Sequence, residues 1–335
     1  MNTAVKNISL PEKIFTANNE NFTSLALEVF NFQYNNNLTY KQYCNALRID
    51  PTKINTIEKI PFLPISFFKT HTITTTDFDP AIIFESSGTT QTINSRHLIK
   101  DIDLYEKSFT NAFNLFYGKP EDWCILALLP SYLERNNSSL VIMADSLIKQ
   151  SKHASSGFYL NELDQLQHTL IELEKQQQKT LLLGVTFALL DFAEQYSMPL
   201  KHTTIMETGG MKGRREELTR QEVHEILCNS FQLPTIHSEY GMTELLSQAY
   251  SKGNGIFNCP PWMKILIRDE DDPFTIHSST SNFTSGAINI IDLANIYSCS
   301  FIATDDAGKL HANNSFEVLG RLDNSDIRGC SLLVL

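Results

Sequence analysis

Apolar positions recur along the chain at two spacings, and the two alternate. Phe22, Leu25, Val29 and Phe32 fall three or four residues apart and predict an amphipathic helix over residues 22–34, followed by a polar Asn35-Asn36-Asn37 turn. Tyr105, Phe109, Ala112, Phe113 and Phe116 repeat the helical stripe, and Leu163, Leu166, Leu170 and Leu173 repeat it again within 161–177. A further helical stretch covers 214–228. Between these lie short apolar runs that read as buried strands: Ala81-Ile82-Ile83-Phe84, then 124–129, 180–185, 203–206 and 233–236. The segment 60–69 is apolar but broken by prolines, which predicts extended chain packed on the core.

Strand and helix alternating at this spacing imply a parallel or mixed α/β sheet with helices on its faces. From about residue 262 the texture changes. Runs at 263–268, 287–293, 301–304 and 315–319 are short and β-like, separated by Gly, Asn, Asp and Ser. The expected organisation is therefore an α/β body over 1–260 and a smaller β-rich subdomain over 261–335.

Composition narrows the function classes. A chain of 335 residues with 42% hydrophobic content can bury a large core. Its formal net charge of −11 argues against a general nucleic-acid surface or an anionic membrane face. One loop of donors can still hold a nucleotide. Six cysteines without a C-x-x-C pair read as reduced thiols. The N-terminus lacks the apolar core of a signal peptide, and no stretch is apolar for long enough to span a bilayer. A cytoplasmic protein is expected.

Four stretches carry candidate chemistry. The first, Glu85-Ser86-Ser87-Gly88-Thr89-Thr90-Gln91, follows a strand and offers hydroxyls and backbone N–H groups for phosphates. Asn94-Ser95-Arg96-His97 continues it: Arg96 can neutralise phosphate charge, with His97 as a supplementary donor. Read alone, the loop is equally an ordinary Ser/Thr-rich turn. The second is Glu207-Thr208-Gly209-Gly210, where paired glycines let a planar ligand approach the backbone. The third, Ser238-Glu239-Tyr240-Gly241-Met242-Thr243-Glu244, offers an aromatic face for a base, a hydroxyl for a phosphate and a carboxylate for Mg²⁺. The fourth is Ala303-Thr304-Asp305-Asp306-Ala307-Gly308 with Gly320-Arg321-Leu322-Asp323; a carboxylate there can accept from two ribose hydroxyls, with Arg321 bridging ribose or phosphate, although each piece alone reads as a β-turn.

In this order the motifs resemble those of the acyl-adenylate-forming superfamily, and within it the chain is most similar to LuxE-type acyl-protein synthetases. Residues 26–33, 60–69, 86–97 and Arg328-Gly329-Cys330 carry the likeness to that subgroup. The resemblance implies a large adenylate-forming domain of mixed sheets flanked by helices, with ATP and Mg²⁺ as cofactors and a fatty carboxylic acid as substrate, its chain length unspecified. It implies that Ser86, Ser87, Gly88, Thr89 and Thr90 hold the ATP phosphates and that Gly209 and Gly210 line the adenine and acyl pocket. Tyr240, beside Gly241, would pack on adenine, Thr243 would contact the α-phosphate, and Glu244 would bind Mg²⁺. Asp306 would hold the ribose, with Arg321 close by.

Three departures matter. Gln91 and Ser95-Arg96-His97 stand where the superfamily loop continues with Gly and Pro-Lys-Gly, and Asp305 stands where Thr-Gly-Asp has glycine. The sequence also stops just past Gly-Arg-x-Asp, so the mobile C-terminal domain and its lysine are expected to be lacking. Cys330, after Gly329, is the residue the resemblance assigns as acyl acceptor and nucleophile; as a residue read alone, a buried structural cysteine is the alternative. The expected activity is ATP-dependent activation of a carboxylic acid, transfer to Cys330 and delivery to an acyl-accepting protein such as a reductase. Acyl transfer to coenzyme A or a carrier protein, as in phenylacetate–CoA ligases, and a non-catalytic nucleotide-binding scaffold are the alternatives.

Overall fold

The structure is a computed structural model that describes residues 9–86, 93–129, 137–160, 162–209, 218–277 and 283–322. A short helix α1 (Leu10–Lys13) leads into α2 (Phe22–Asn36) and α3 (Leu38–Ala46). Asn37 separates the two longer helices and caps α3, its side chain accepting from the Tyr40 N–H. The proline-punctuated segment is extended only at β1 (Leu63–Pro64) before turning into α4 (Phe67–Thr70). No proline follows Pro64 within that turn, so nothing bars a helical one.

A two-stranded antiparallel hairpin, β2 (Ile82–Glu85) with β3 (Arg96–Ile99), flanks the hydroxyl-rich loop. The aromatic stripe forms α5 (Ile102–Tyr117), capped by Asp101 and stopped by Gly118 at φ +81°, a left-sided conformation that costs glycine little. Then come β4 (Cys124–Leu128), α6 (Ser139–Ser151), β5 (Gly157–Tyr159), α7 (Leu163–Lys175), β6 (Thr180–Val185), α8 (Thr186–Gln195), β7 (Thr203–Thr208), α9 (Arg220–Phe231), β8 (His237–Tyr240), β9 (Ala249–Ser251) and β10 (Phe257–Asn258). Every residue of β4 and β6 is buried, as expected of parallel strands covered on both faces. Thr219 and Glu222 form a reciprocal capping box that starts α9 later than residue 214.

One strand expectation is corrected. The run 233–236 is not a strand; β8 begins at His237 and runs through Ser238, Glu239 and Tyr240. Pro234 has no N–H to give a ladder, so pairing with β7 starts beyond it, at Met206↔His237.

The C-terminal strands are β11 (Met263–Arg268), β12 (Phe283–Asp292), β13 (Phe301–His311) and β14 (Phe316–Arg321). They join the same 12-stranded sheet, in the order β11-β12-β13-β14-β10-β9-β8-β7-β6-β4-β5, with β1 alongside β13. The pairs among β5, β4, β6, β7 and β8 are parallel; those from β8 out to β11 are antiparallel. The 303–308 stretch, which reads as a turn, is strand: β13 carries it past a register shift between Ala307 and Gly308. Side-chain-to-backbone bonds hold this irregular stretch, so no turn is needed.

The N-terminal helices pack on the β-rich end. Phe30, Tyr40 and Phe62 surround Phe301 at centroid distances of 6.3, 6.1 and 6.3 Å. Leu63 pairs in register with Ile302. Among the described residues no helix is long and apolar enough to cross a membrane.

Candidate active site

The parallel strands β6, β7 and β8 run in the same direction, so their carboxyl ends open on one edge, where α/β sheets bind ligands. Thr186 follows β6, Thr208 ends β7 and Gly209 follows it, and Tyr240 ends β8. Thr186 Oγ1 donates to the Gly209 carbonyl at 3.2 Å, fixing the start of the glycine pair. Gly210 lies outside the described residues, as do Ser87, Gly88, Thr89, Thr90 and Cys330.

Two contacts tie this edge to other elements. The Tyr240 hydroxyl donates to Asp306 Oδ2 at 2.7 Å, joining β8 to β13. Asp306 stands in register with Arg321 on β14, and Arg321 donates to Asp305 Oδ2 at 3.1 Å. Burial raises the Asp306 carboxyl above its ordinary value, while Arg321 and the Tyr240 hydroxyl offset part of the rise. Burial, with Asp306 beside it, pushes the Tyr240 phenol far up, so it remains a donor at neutral pH. The Tyr240 ring is walled by Phe257 and Phe316, at 5.9 and 5.6 Å.

The second contact comes from the hairpin. At the base of the hydroxyl-rich loop, Ser86 N–H donates to the Ser95 carbonyl at 3.1 Å and Ser95 N–H to Ser86 Oγ at 2.9 Å. Ser86 is thus buried at the loop's neck. Next along β3, His97 turns inward with 1% exposure. Its Nδ1 lies 2.9 Å from the Thr243 carbonyl and its Nε2 2.8 Å from Ser298 Oγ. The expectation that His97 supplements the phosphate donors is therefore corrected: both ring nitrogens are committed inside the protein. Burial also depresses its pKa to about 4, so the ring carries no positive charge near neutrality. Arg96, by the alternation of the strand, points outward. It is exposed, and among the described residues Glu85 Oε1 at 3.7 Å is its ion-pair partner.

Thr243 and Glu244 lie just past the end of β8, after Gly241 and Met242, and Glu244 is buried. The Glu244 backbone carbonyl accepts from Asn295 Nδ2 at 2.7 Å. Among the described residues no group of three or more His, Cys, Asp or Glu is arranged to hold a metal. One carboxylate with the phosphates of a bound nucleotide is, however, the donor set that Mg²⁺ commonly takes, and Glu244 fits that role in kind.

A row of buried acids lies behind the site. Glu239 bonds Thr208 Oγ1 across the β7–β8 pair, and burial pushes its carboxyl up to about 7. Gly241 lies tight against it: a Cβ there would meet the Glu239 carboxylate, which would have to shift. Burial alone would raise Glu207 too, but His224 and Arg220 outweigh it and hold that carboxyl below its usual value. Arg220 reaches Glu207 Oε1 at 3.3 Å and the Val318 carbonyl at 3.0 Å, bridging β7 and β14.

Arg220, Arg268, Asn295 and Ser298 were not among the residues expected from the sequence. Arg268 is buried and donates to the Thr304 carbonyl at 2.6 Å, holding the backbone just before Asp305-Asp306. A signal was available for two of them. Asn295 and Ser298, with Ser300, interrupt the apolar residues between Leu293 and Ile302, and a polar side chain in such a run must find partners.

Comparison with known proteins bears on the family and the fold. The family profile described as acyl-protein synthetase, LuxE, matches residues 12–335. The long-chain-fatty-acid–luciferin-component ligase of Aliivibrio fischeri is 24% identical over 336 residues, covering 92% of this chain and 86% of the relative. The ligase of the same name from Vibrio harveyi is 24% identical over 328 residues, covering 90% and 84%. Among solved structures, ATP-bound MatB from Rhodopseudomonas palustris superposes with a TM-score of 0.54 at 16% identity over 72% of this chain, which spans 48% of that one. A 2-hydroxyisobutyryl-CoA ligase in the postadenylation state superposes with a TM-score of 0.62 at 9% identity, covering 97% of this chain and 73% of the other. At such identities the likeness speaks to fold, and the adenylate-forming fold expected from the motif order is borne out.

Proposed function

The chain belongs to the LuxE family of acyl-protein synthetases, and on that premise we propose that it activates a fatty carboxylic acid with ATP and carries the acyl group as a thioester on Cys330. In the first step a carboxylate oxygen attacks the α-phosphorus of ATP; the bond to the bridging oxygen breaks and pyrophosphate leaves with that electron pair. In the second, the Cys330 thiolate, its proton released to solvent, attacks the acyl carbon and AMP leaves with the electrons of the C–O bond. The acyl group then passes to an acyl-accepting protein such as a reductase.

In this reading Ser86, Ser87, Gly88, Thr89, Thr90 and Arg96 receive the β- and γ-phosphates, and Thr243 the α-phosphate. Gly209, Gly210, Tyr240 and Gly241 frame the adenine, and Asp306 with Arg321 holds the ribose. Mg²⁺, when held by Glu244 and the nucleotide phosphates, supplies neutralisation of the phosphate charge. The observation that carries the reading is the Tyr240–Asp306 hydrogen bond with Arg321 in register beside it. It joins the third and fourth motifs, 66 residues apart, into one constellation.

The test incubates wild type and Cys330→Ser with ATP and radiolabelled fatty acid. Hydroxylamine-labile label on wild type alone supports the thioester. Equal label on both removes Cys330 as acceptor, label transferred to added coenzyme A favours the coenzyme A ligase alternative, and ATP binding without carboxylate-dependent pyrophosphate exchange favours a scaffold.

A further inference from the structure

We propose that His97 is a positioning residue: it locks the β2–β3 hairpin and the Thr243-Glu244 pair into one rigid unit, through a buried node at residues 295–300. The role assigned to that unit rests on the adenylation reading above; the lock itself rests on the hydrogen bonds.

The node is built from backbone and side chains of the segment after β12. The Ser298 carbonyl takes donors from Thr75 Oγ1 at 2.6 Å, Asn37 Nδ2 at 2.8 Å and Gln33 Nε2 at 3.4 Å. Its hydroxyl faces His97 Nε2 at 2.8 Å, and Asn295 Nδ2 reaches the Glu244 carbonyl at 2.7 Å. The successive carbonyls of Thr243 and Glu244 are thereby each held from outside their own segment, one by His97 and one by Asn295.

The chemistry fixes the histidine tautomer. A carbonyl only accepts, so the proton sits on Nδ1 facing Thr243, and the bare Nε2 accepts from Ser298 Oγ. Phe68 and Phe84 meet the imidazole edge-on, at 5.5 and 6.4 Å, and set its plane. Because β3 carries both His97 and, one residue earlier, Arg96, a shift of the hairpin against Thr243 would strand a buried carbonyl. The strand that carries Arg96 and the backbone of Thr243-Glu244 are thus held against each other before any ligand arrives, as positioning for an in-line displacement requires.

His97→Phe keeps ring volume and removes both nitrogens; His97→Asn retains a donor near Nδ1; His97→Gln retains a polar group near Nε2 only. Hydrogen exchange of the amides of residues 243–247 is measured on each without substrate, and carboxylate-dependent pyrophosphate–ATP exchange is measured below each variant's melting temperature. We expect His97→Phe to speed amide exchange at least ~10-fold and to lower kcat by about 100-fold with little change in KM for the acid. Asn should restore most of both effects and Gln little. Ser298→Ala, a milder change, should give the same signs if Phe does not fold. Unchanged amide exchange in the Phe and Ser298→Ala variants, or equal rescue by Asn and Gln, overturns the lock. Absence of pyrophosphate exchange in wild type would instead overturn the adenylation reading, and the amide exchange would still decide the lock.

Discussion

Tyr240 and Asp306 are partners across the sheet: a buried phenol on β8 donates to a half-buried carboxylate on β13, at 2.7 Å. Asp306 therefore reaches its position because the Tyr-Gly-x-Thr-Glu motif holds it, and the motif reaches its own position partly through Asp306. Tyr240→Phe should fold, lose about 1–3 kcal/mol of stability for the carboxylate left short of a donor, and raise the KM for ATP several-fold. The measurement is pyrophosphate exchange against ATP concentration, with thermal unfolding alongside. An unchanged KM would remove Asp306 from nucleotide binding.

Arg96 separates charge from structure. Its ion pair with Glu85 is exposed and long, and exposed pairs are worth about 0–1 kcal/mol. Arg96→Ala should leave the melting temperature nearly unchanged and slow pyrophosphate exchange at least ~10-fold, the loss expected when a positioned charge stabiliser is removed. Glu85→Ala, which leaves the guanidinium in place, should not slow it. Equal rates for wild type and Arg96→Ala would show that the phosphates are neutralised elsewhere.

Gly241 is a space requirement with a named neighbour. Gly241→Ala drives a methyl into the Glu239 carboxylate, which Thr208 holds in place, and should cost about 1–3 kcal/mol as other overpacked sites do. Shortening the neighbour should relieve it. Gly241→Ala combined with Glu239→Ala should be more stable than additivity of the two single changes allows, measured by denaturant unfolding in a double-mutant cycle. Strict additivity would refute the collision.

Glu239 also gives a pH dependence of known sign. Its folded carboxyl is raised to about 7 from the 4.5 of a free glutamate, mainly by burial. Between those values the folded state holds a proton the unfolded state has lost, so this group's contribution to stability falls as pH rises from 4.5 to about 7 and is level above it. His97 and His237, both depressed to about 4, work the other way below pH 6.5, so the wild-type curve alone mixes the effects. The difference between wild type and Glu239→Gln isolates it: wild type should lose on the order of 3 kcal/mol relative to the variant across that window. Parallel pH curves would place the Glu239 carboxyl at its ordinary value.

Much of this was readable in the chain, and the rest was hidden for identifiable reasons. The leucines of α7 and the aromatics of α5 announced helices because one face of each is buried and the other is not. Strands β4 and β6 announced themselves by unbroken apolar runs. The strand carrying Glu239 and Tyr240 did not, since His237, Ser238 and Glu239 are polar and the buried Glu239 is satisfied by a neighbour, Thr208. The 303–308 stretch looked like a turn because Asp305, Asp306 and Gly308 are turn residues; Arg268, far away in sequence, holds the Thr304 carbonyl there. His97 shows the limit best. A histidine beside an arginine on a phosphate-type loop reads as a donor, and only the inward face of β3 shows that its nitrogens are used within the protein.

The packing of Phe30, Tyr40 and Phe62 around Phe301 has a consequence for how the protein is made. The helices at the start of the chain find their cover more than two hundred residues later, and Gln33 reaches the 295–300 segment across separations of 262 to 267 residues. Such contacts form only after a large loop closes, which slows folding. During synthesis the part of the α2 and α3 surface that meets Phe301 stays uncovered until that strand has left the ribosome. Chaperone demand should therefore centre on the first helices rather than on the sheet, whose parallel core assembles from neighbouring segments.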